Sequence, residues 1–463
     1  MDSSSRASFL KEREKILKEE QSGLGTMDSF NKVGDGPSLN LMTSEDITKI
    51  LRAMEGKGAE KALPASSLQM DGYMIPANEG RVAHITMTSP QLSGSLKDNY
   101  MNVVKTFATQ MPNARITILT AQEREAKMLK DSVRQWSSQG LVENPGRIKI
   151  ENTNKYLSLW AQDSTLVVGN NVVEQDRVGY PGYDDMKVAS ELAKVTPELK
   201  YRKLEGVYID GGNQLADRKN IFVGTDAVAY GVYDMKQYPA KYQKIVSDMG
   251  LQTNSSMSQQ DMIKLIMDST FPHQKIVMVG YKGKQPAFHI DMAITPLGKK
   301  DPASGKPVML VGDPSMAVKI LKDVKTNSPG KYKQYQNQIK DKVSGTSRNP
   351  LDTMMKEVGN DRELQEGFDA LAKGFEKDGY KVDRVPYLGG TNLHNHPWFT
   401  YNNSVIDGDQ VFIPNFDIPE LDRAGNEKFE KYGYKPIPID MTAISSMMGA
   451  INCITKVVER DYA

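Results

Sequence analysis

Val82-Ala-His-Ile-Thr-Met-Thr88 is a strand-like run; Leu96 to Gln110 has helical texture, Arg115-Ile-Thr-Ile-Leu-Thr120 is strand-like again, and Gln122 to Ser138 is helical. Short runs rich in β-branched residues, separated by stretches with helical periodicity, define an α/β chain. Working outward, the same texture continues. Further strands are expected at Arg147–Glu151, Thr165–Gly169, Asn220–Gly224, Lys275–Gly280, His289–Thr295, Val308–Val311, Lys381–Tyr387, Ser404–Ile413 and Cys453–Val458. Helices are expected at Gln259–Asp268, Ser315–Asp323 and Arg362–Lys377. The spacing is compatible with a doubly wound sheet and with a propeller of repeated ββαβ units.

The first 65 residues differ in texture. Ser8 to Gln21 predicts an amphipathic helix, Gly23 to Ser38 a linker, and Thr43 the start of a second helix with a capping-box pattern. This gives an N-terminal helical and flexible extension over 1–65 and a main domain over 66–463. Residues 323–361 are rich in Lys, Gln and Ser, which predicts a surface insertion away from the core.

The 463 residues are enough to bury a large core. With 59 Lys plus Arg against 58 Asp plus Glu, the net charge of +1 supplies no field for a nucleic acid backbone. No apolar run reaches the roughly 20 residues of a membrane span, and the charged N-terminus lacks a signal-peptide pattern, so the expected location is cytoplasmic. Signal-less export would leave the same sequence. One cysteine permits no internal disulfide.

Four segments concentrate reactive side chains: Trp160-Ala-Gln-Asp163, Tyr208-Ile-Asp-Gly-Gly-Asn213, His289-Ile-Asp291 and Asn452-Cys453-Ile-Thr455. Each has an ordinary explanation. His289 and Asp291, two apart on an expected strand, would share one face, either as an exposed pair or as a catalytic one. Asp163 is either a turn residue or a partly buried carboxylate that needs a cation or hydrogen-bond donors. Asp210-Gly-Gly-Asn213 is a permissive turn and lacks the Gly spacing of a phosphate loop. Cys453 is either a small core residue or a nucleophile paired with the distant His and Asp. His394-Asn-His396 could ligate zinc, face a substrate or lie on the surface; no nearby Cys or third His accompanies it.

In this order the four segments resemble the guanidino-group-modifying, or pentein, superfamily, which includes agmatine deiminases and peptidylarginine deiminases. The resemblance spans roughly Val82 to Arg460, and Ser404–Pro414, Pro436–Asp440 and Gly449–Thr455 look like that family's closing strand, helix, strand and catalytic loop. It implies a five-bladed α/β propeller around a guanidinium pocket. It also implies a nucleophile at Cys453, a general acid and base at His289, and a guanidinium clamp formed by Asp163 and Asp291. Trp160, Gln162, Asp210 and Asn213 would complete the substrate pocket, and neither cofactor nor metal is implied. The chain departs from the pattern in two places: Asn452 stands where relatives commonly have His, and Asp210 where many have Glu.

The implied reaction is deimination of a guanidinium to a ureido group through a Cys thiouronium. Trp-Ala-Gln-Asp163 is similar to the peptidylarginine enzymes and points to protein-bound arginine, whereas Gly-Gly-Asn213 and Asn-Cys-Ile-Thr455 are nearer to the agmatine pattern and a small guanidine. Amidino transfer, a non-catalytic pentein binding module and a Cys-His acyl hydrolase are the alternatives; the last would need an oxyanion hole but no paired carboxylates.

Overall fold

The computed structural model describes residues 68–175, 183–253, 256–390, 393 and 395–462. The expected N-terminal helices and linker, and His394, lie outside the described residues.

Strand β1 (Arg81–Ser89) leads through helix α1 (Gly94–Gln110) to β2 (Arg115–Thr120), and α2 (Glu123–Ser138) leads to β3 (Ile148–Asn152); β1, β2 and β3 pair in parallel. Strands β4 (Leu166–Val168) and β5 (Asn171–Gln175) then form a hairpin, and α3 (Val188–Val195) carries the chain to β6 (Lys200–Leu204), parallel to β5. Hairpin, helix, parallel strand is the rule thereafter. It recurs in β7 (Gln214–Ala216), β8 (Asn220–Gly224), helices α4 (Asp226–Gln237), α5 (Pro239–Asp248) and α6 (Gln259–Thr270), and β9 (Lys275–Val279). The next unit has β10 (Ile294–Lys300), β11 (Pro307–Asp313), helices α7 (Pro314–Asn327), α8 (Pro329–Lys342), α9 (Pro350–Asn360) and α10 (Arg362–Lys377), and β12 (Lys381–Leu388), to which β13 (Phe399–Thr400) adds antiparallel. Then come β14 (Val405–Asp407), β15 (Gln410–Asn415), α11 (Pro419–Glu430) and β16 (Lys435–Asp440). After α12 (Thr442–Ser445), the last strand β17 (Thr455–Asp461) pairs antiparallel with β1.

The described chain is therefore a mixed α/β fold of five separate, open sheets, and the sheet containing β1 is assembled from both ends of the described chain. Parallel partners need a long crossover, which explains why a helix stands between the second and third strand of each unit. β1 is buried along nearly its whole length, the signature of a strand covered on both sides. Arg460 on β17 locks the closure: its guanidinium donates to the carbonyls of Ala77, Glu79, Gly80 and Ile406.

Three expected strands are corrected. Ser404–Ile413 is the β14–β15 hairpin, which turns at Gly408 with φ +59°, a conformation that glycine adopts freely. His289–Thr295 becomes strand only from Ile294, because Ile290–Met292 forms a 3-10 turn. Cys453 lies in the turn that precedes β17. Residues 323–361 also differ from expectation. Helices α8 and α9 bury Tyr332, Tyr335 and Ile339, and Leu351, Met354 and Val358, in the largest core cluster. The polar composition belongs to the outer faces, while the apolar residues recur at helical spacing. Among the described residues no helix is long and apolar enough to cross a membrane.

Candidate active site

The segment entering the first strand of each sheet carries the reactive side chains. Asp163 precedes β4, Asp210 to Asn213 precede β7, His289 to Asp291 precede β10, Asn403 precedes β14, and Asn452 and Cys453 precede β17. These five segments meet. Gln162 N–H donates to the Cys453 carbonyl at 3.2 Å and Gly211 N–H to the Asp163 carbonyl at 3.0 Å, tying three of them through backbone. Backbone ties of this kind fix loop positions more firmly than side-chain contacts alone, as a catalytic arrangement requires.

His289 is fully buried and stacks on Phe288, with ring centroids 4.0 Å apart. Its Nε2 lies 3.2 Å from Asp210 Oδ2, and its Nδ1 lies 3.4 Å from Asp163 Oδ1. Both ring nitrogens thus face carboxylates, which orients the imidazole. The fit depends on Gly212. A Cβ there would stand 2.6 Å from His289 Nδ1 and 2.7 Å from Asp163 Oδ1, closer than packed atoms tolerate.

Asp291 lies in the 3-10 turn and faces the sulfur. Its Oδ2 accepts from Asn452 Nδ2 at 2.8 Å and is 3.7 Å from Cys453 Sγ. Burial pushes its carboxyl up to about 6, against the opposing pull of His289 and the Asn452 amide. Its Oδ1 is buried with no hydrogen-bond partner among the described residues. A buried carboxylate with an unused acceptor is a position suited to a cation carrying N–H donors.

Cys453 is buried at the junction. Asn403 Nδ2 donates to its Sγ at 3.2 Å, while Asn403 Oδ1 accepts the N–H groups of Cys453 and Ala450, each at 3.2 Å. On β17, Lys456 is buried near Asp163 and Asp291, and burial pushes its amine down to about 7.

Cys453, His289, Asp163, Asp291 and Asp210 are thus gathered in one place. The other three expected pocket residues are set into its wall. Trp160 is 1% exposed and packs against Gly449. Gln162 donates through Nε2 to the Gly211 carbonyl at 2.9 Å, and Asn213 Oδ1 accepts from Gln285 at 2.9 Å. His396 is buried with Nε2 at 3.0 Å from Ser347 Oγ. Among the described residues no group of three or more His, Cys, Asp and Glu side chains is placed to hold a metal ion. Sequence reasoning passed over Asn403 and Lys456, and read Gly212 only as part of a permissive turn. Asn403 had one usable signal, since it precedes a strand just as the four recognised segments do.

The mixed α/β fold is similar to that of solved deiminase structures. A protein assigned as a peptidyl-arginine deiminase superposes with TM-score 0.52 at 15% identity, covering 83% of this chain and 97% of its own. One assigned as an agmatine deiminase gives 0.52 at 13% identity, over 86% and 98%. The C. jejuni agmatine deiminase with substrate bound gives 0.51 at 10% identity, over 83% and 95%. No family sequence model and no curated protein sequence matches the chain.

Proposed function

We propose that this protein is a guanidine deiminase of the pentein superfamily, its five ββαβ units arranged as blades around the pocket, with Cys453 as nucleophile. The observation that carries this is the joint placement of Asp291 Oδ2, 3.7 Å from the sulfur, and of His289 between Asp163 and Asp210. An acyl hydrolase has no use for this many buried carboxylates, whereas a planar cation does.

In this mechanism Asp163 and Asp291 hold the guanidinium with its carbon over the sulfur. The thiolate attacks that carbon, and its electron pair forms the C–S bond while the C=N π pair moves onto nitrogen. His289 protonates the departing nitrogen, the C–N bond breaks, ammonia leaves and a thiouronium remains. Water then attacks, giving its proton to His289, and the C–S bond breaks to return the thiolate and release the ureido product. Positioning and proton transfer each contribute, the latter typically by about 10²–10⁴-fold. Asn403, donating to the sulfur, stabilises the thiolate between turnovers.

Two substrate classes fit this chemistry. Protein-bound arginine would make the enzyme a citrullinating one, and that reading rests on Gln162. The Gln162 amide, however, is engaged with the Gly211 carbonyl, which favours a small guanidine such as agmatine or free arginine. The test offers agmatine, free arginine and an arginine-containing protein, and measures ammonia and ureido product. Release from one of them by the wild type, and none by Cys453→Ala, supports the reading. Absence of turnover together with absence of guanidine binding would refute it.

A further inference from the structure

A cavity that shares Gln162 and Asn452 with the front site, but neither Asp163 nor Asp291, has no task in the deiminase mechanism. Its volume of about 40 Å³ is walled by residues 74–77, by β7 and by the inner side of β17. That space holds roughly one small ion with a water or two. Its lining includes two cationic side chains, Lys456 and Arg460, and no Asp or Glu.

The two cations differ in occupation. Arg460 spends its guanidinium on four backbone carbonyls. Lys456 is 5% exposed; its backbone belongs to the β1–β17 ladder, while its ammonium forms no ion pair within 4 Å among the described residues, and Asp163 and Asp291 act on it at longer range. On the same wall Gln214 is buried with its Oε1 unpartnered, and turning that amide would present Nε2 to the cavity instead. A buried ammonium is unfavourable unless it loses its proton or gains a counter-ion.

We propose that this cavity binds one small monovalent anion, seated against the Lys456 ammonium and supported by the Gln214 amide. The rest of the wall mixes apolar side chains, among them Val167, Leu215 and Val405, with the neutral polar Gln162, Ser404 and Asn452, so it adds no further charge and suits a small monovalent anion such as a halide over a multivalent one. The anion gives Lys456 a partner of its own. Asp163 and Asp291 are then left to the guanidinium instead of serving as counter-ions to the lysine. The proposal concerns this cavity and stands whether or not the front site is a deiminase.

The probe is chloride, titrated into full-length protein in a buffer otherwise free of halide at pH 6.5 and followed by the line width of its chlorine NMR signal. Wild type is expected to give excess broadening that saturates and is displaced by bromide. Lys456→Met is expected to lose the saturable part, and Lys456→Arg to keep it; thermal melting of both variants shows that they are folded. No saturable broadening in the wild type would overturn the proposal, as would undiminished broadening in a folded Lys456→Met protein.

Discussion

Asn403 holds Cys453 from both ends: its Nδ2 donates to the sulfur at 3.2 Å, and its Oδ1 accepts the backbone N–H of the same residue at 3.2 Å. One side chain therefore sets both the position of the sulfur and the polarity around it. Asn403→Asp keeps the acceptor, removes the donor and adds a negative charge beside the sulfur. The thiol is expected to ionise at higher pH, and the rate of alkylation by iodoacetamide should rise with pH later than in the wild type. Asn403→Ala leaves the N–H groups of Ala450 and Cys453 without their acceptor, at a cost of about 1–3 kcal/mol each. Denaturant unfolding measures that loss.

Gly212 is where the front site has no spare volume. Gly212→Ala would force His289 and Asp163 apart, because the added methyl has side-chain neighbours at 2.6 and 2.7 Å. Turnover is expected to fall by about 100-fold or more, since a displacement of about 1 Å can cost that much. Steady-state kinetics alongside a melting curve separates this from simple unfolding, and a fully active Gly212→Ala would remove the packing argument.

Asp291 is a buried carboxyl that costs stability when ionised. Its carboxyl is held at about 6, above the roughly 4 of an unfolded chain. Between those values the unfolded chain releases its proton while the folded one keeps it, so this group's contribution to stability declines as pH rises from about 4 to 6 and stays low above. Asp291→Asn cannot ionise. It is expected to be more stable than wild type by about 1–3 kcal/mol at pH 7.5, to lose that advantage near pH 4, and to be inactive. Urea unfolding at the two pH values tests the sign. In the wild type, kcat/KM should rise as pH passes through about 6.

Asp210 is placed to act through His289. Asp210→Asn removes the carboxylate 3.2 Å from Nε2, so the imidazole loses one of its two carboxylate neighbours. The expected result is a kcat lower by about 10–100-fold with KM little changed. An unchanged kcat in steady-state kinetics would show that Asp210 is only a packing residue.

The sequence made the class of the fold and much of the site legible, for different reasons. Arg115–Thr120, Asn220–Gly224 and Arg362–Lys377 fall where their periodicity puts them, because each is a single-period run with clear ends. The hairpin at Gly408 was hidden because apolar residues continue on both sides of a two-residue turn. β6, Lys-Tyr-Arg-Lys-Leu, is polar and largely exposed, so its pattern carries no strand signal. His289 and Asp291 do meet one site, although through a 3-10 turn and not through strand alternation. The partners of Cys453 are set by tertiary contacts 50 to 162 residues away, which no local pattern encodes.

The most direct measurement of the central claim is the intact mass of the protein quenched in acid during turnover, followed by peptide mapping. The account predicts a transient amidino adduct on the peptide containing Cys453, equal to substrate minus ammonia and absent from Cys453→Ala, which should release no ammonia. Sustained ammonia release by Cys453→Ala, or wild-type turnover with the adduct on another residue, would contradict it.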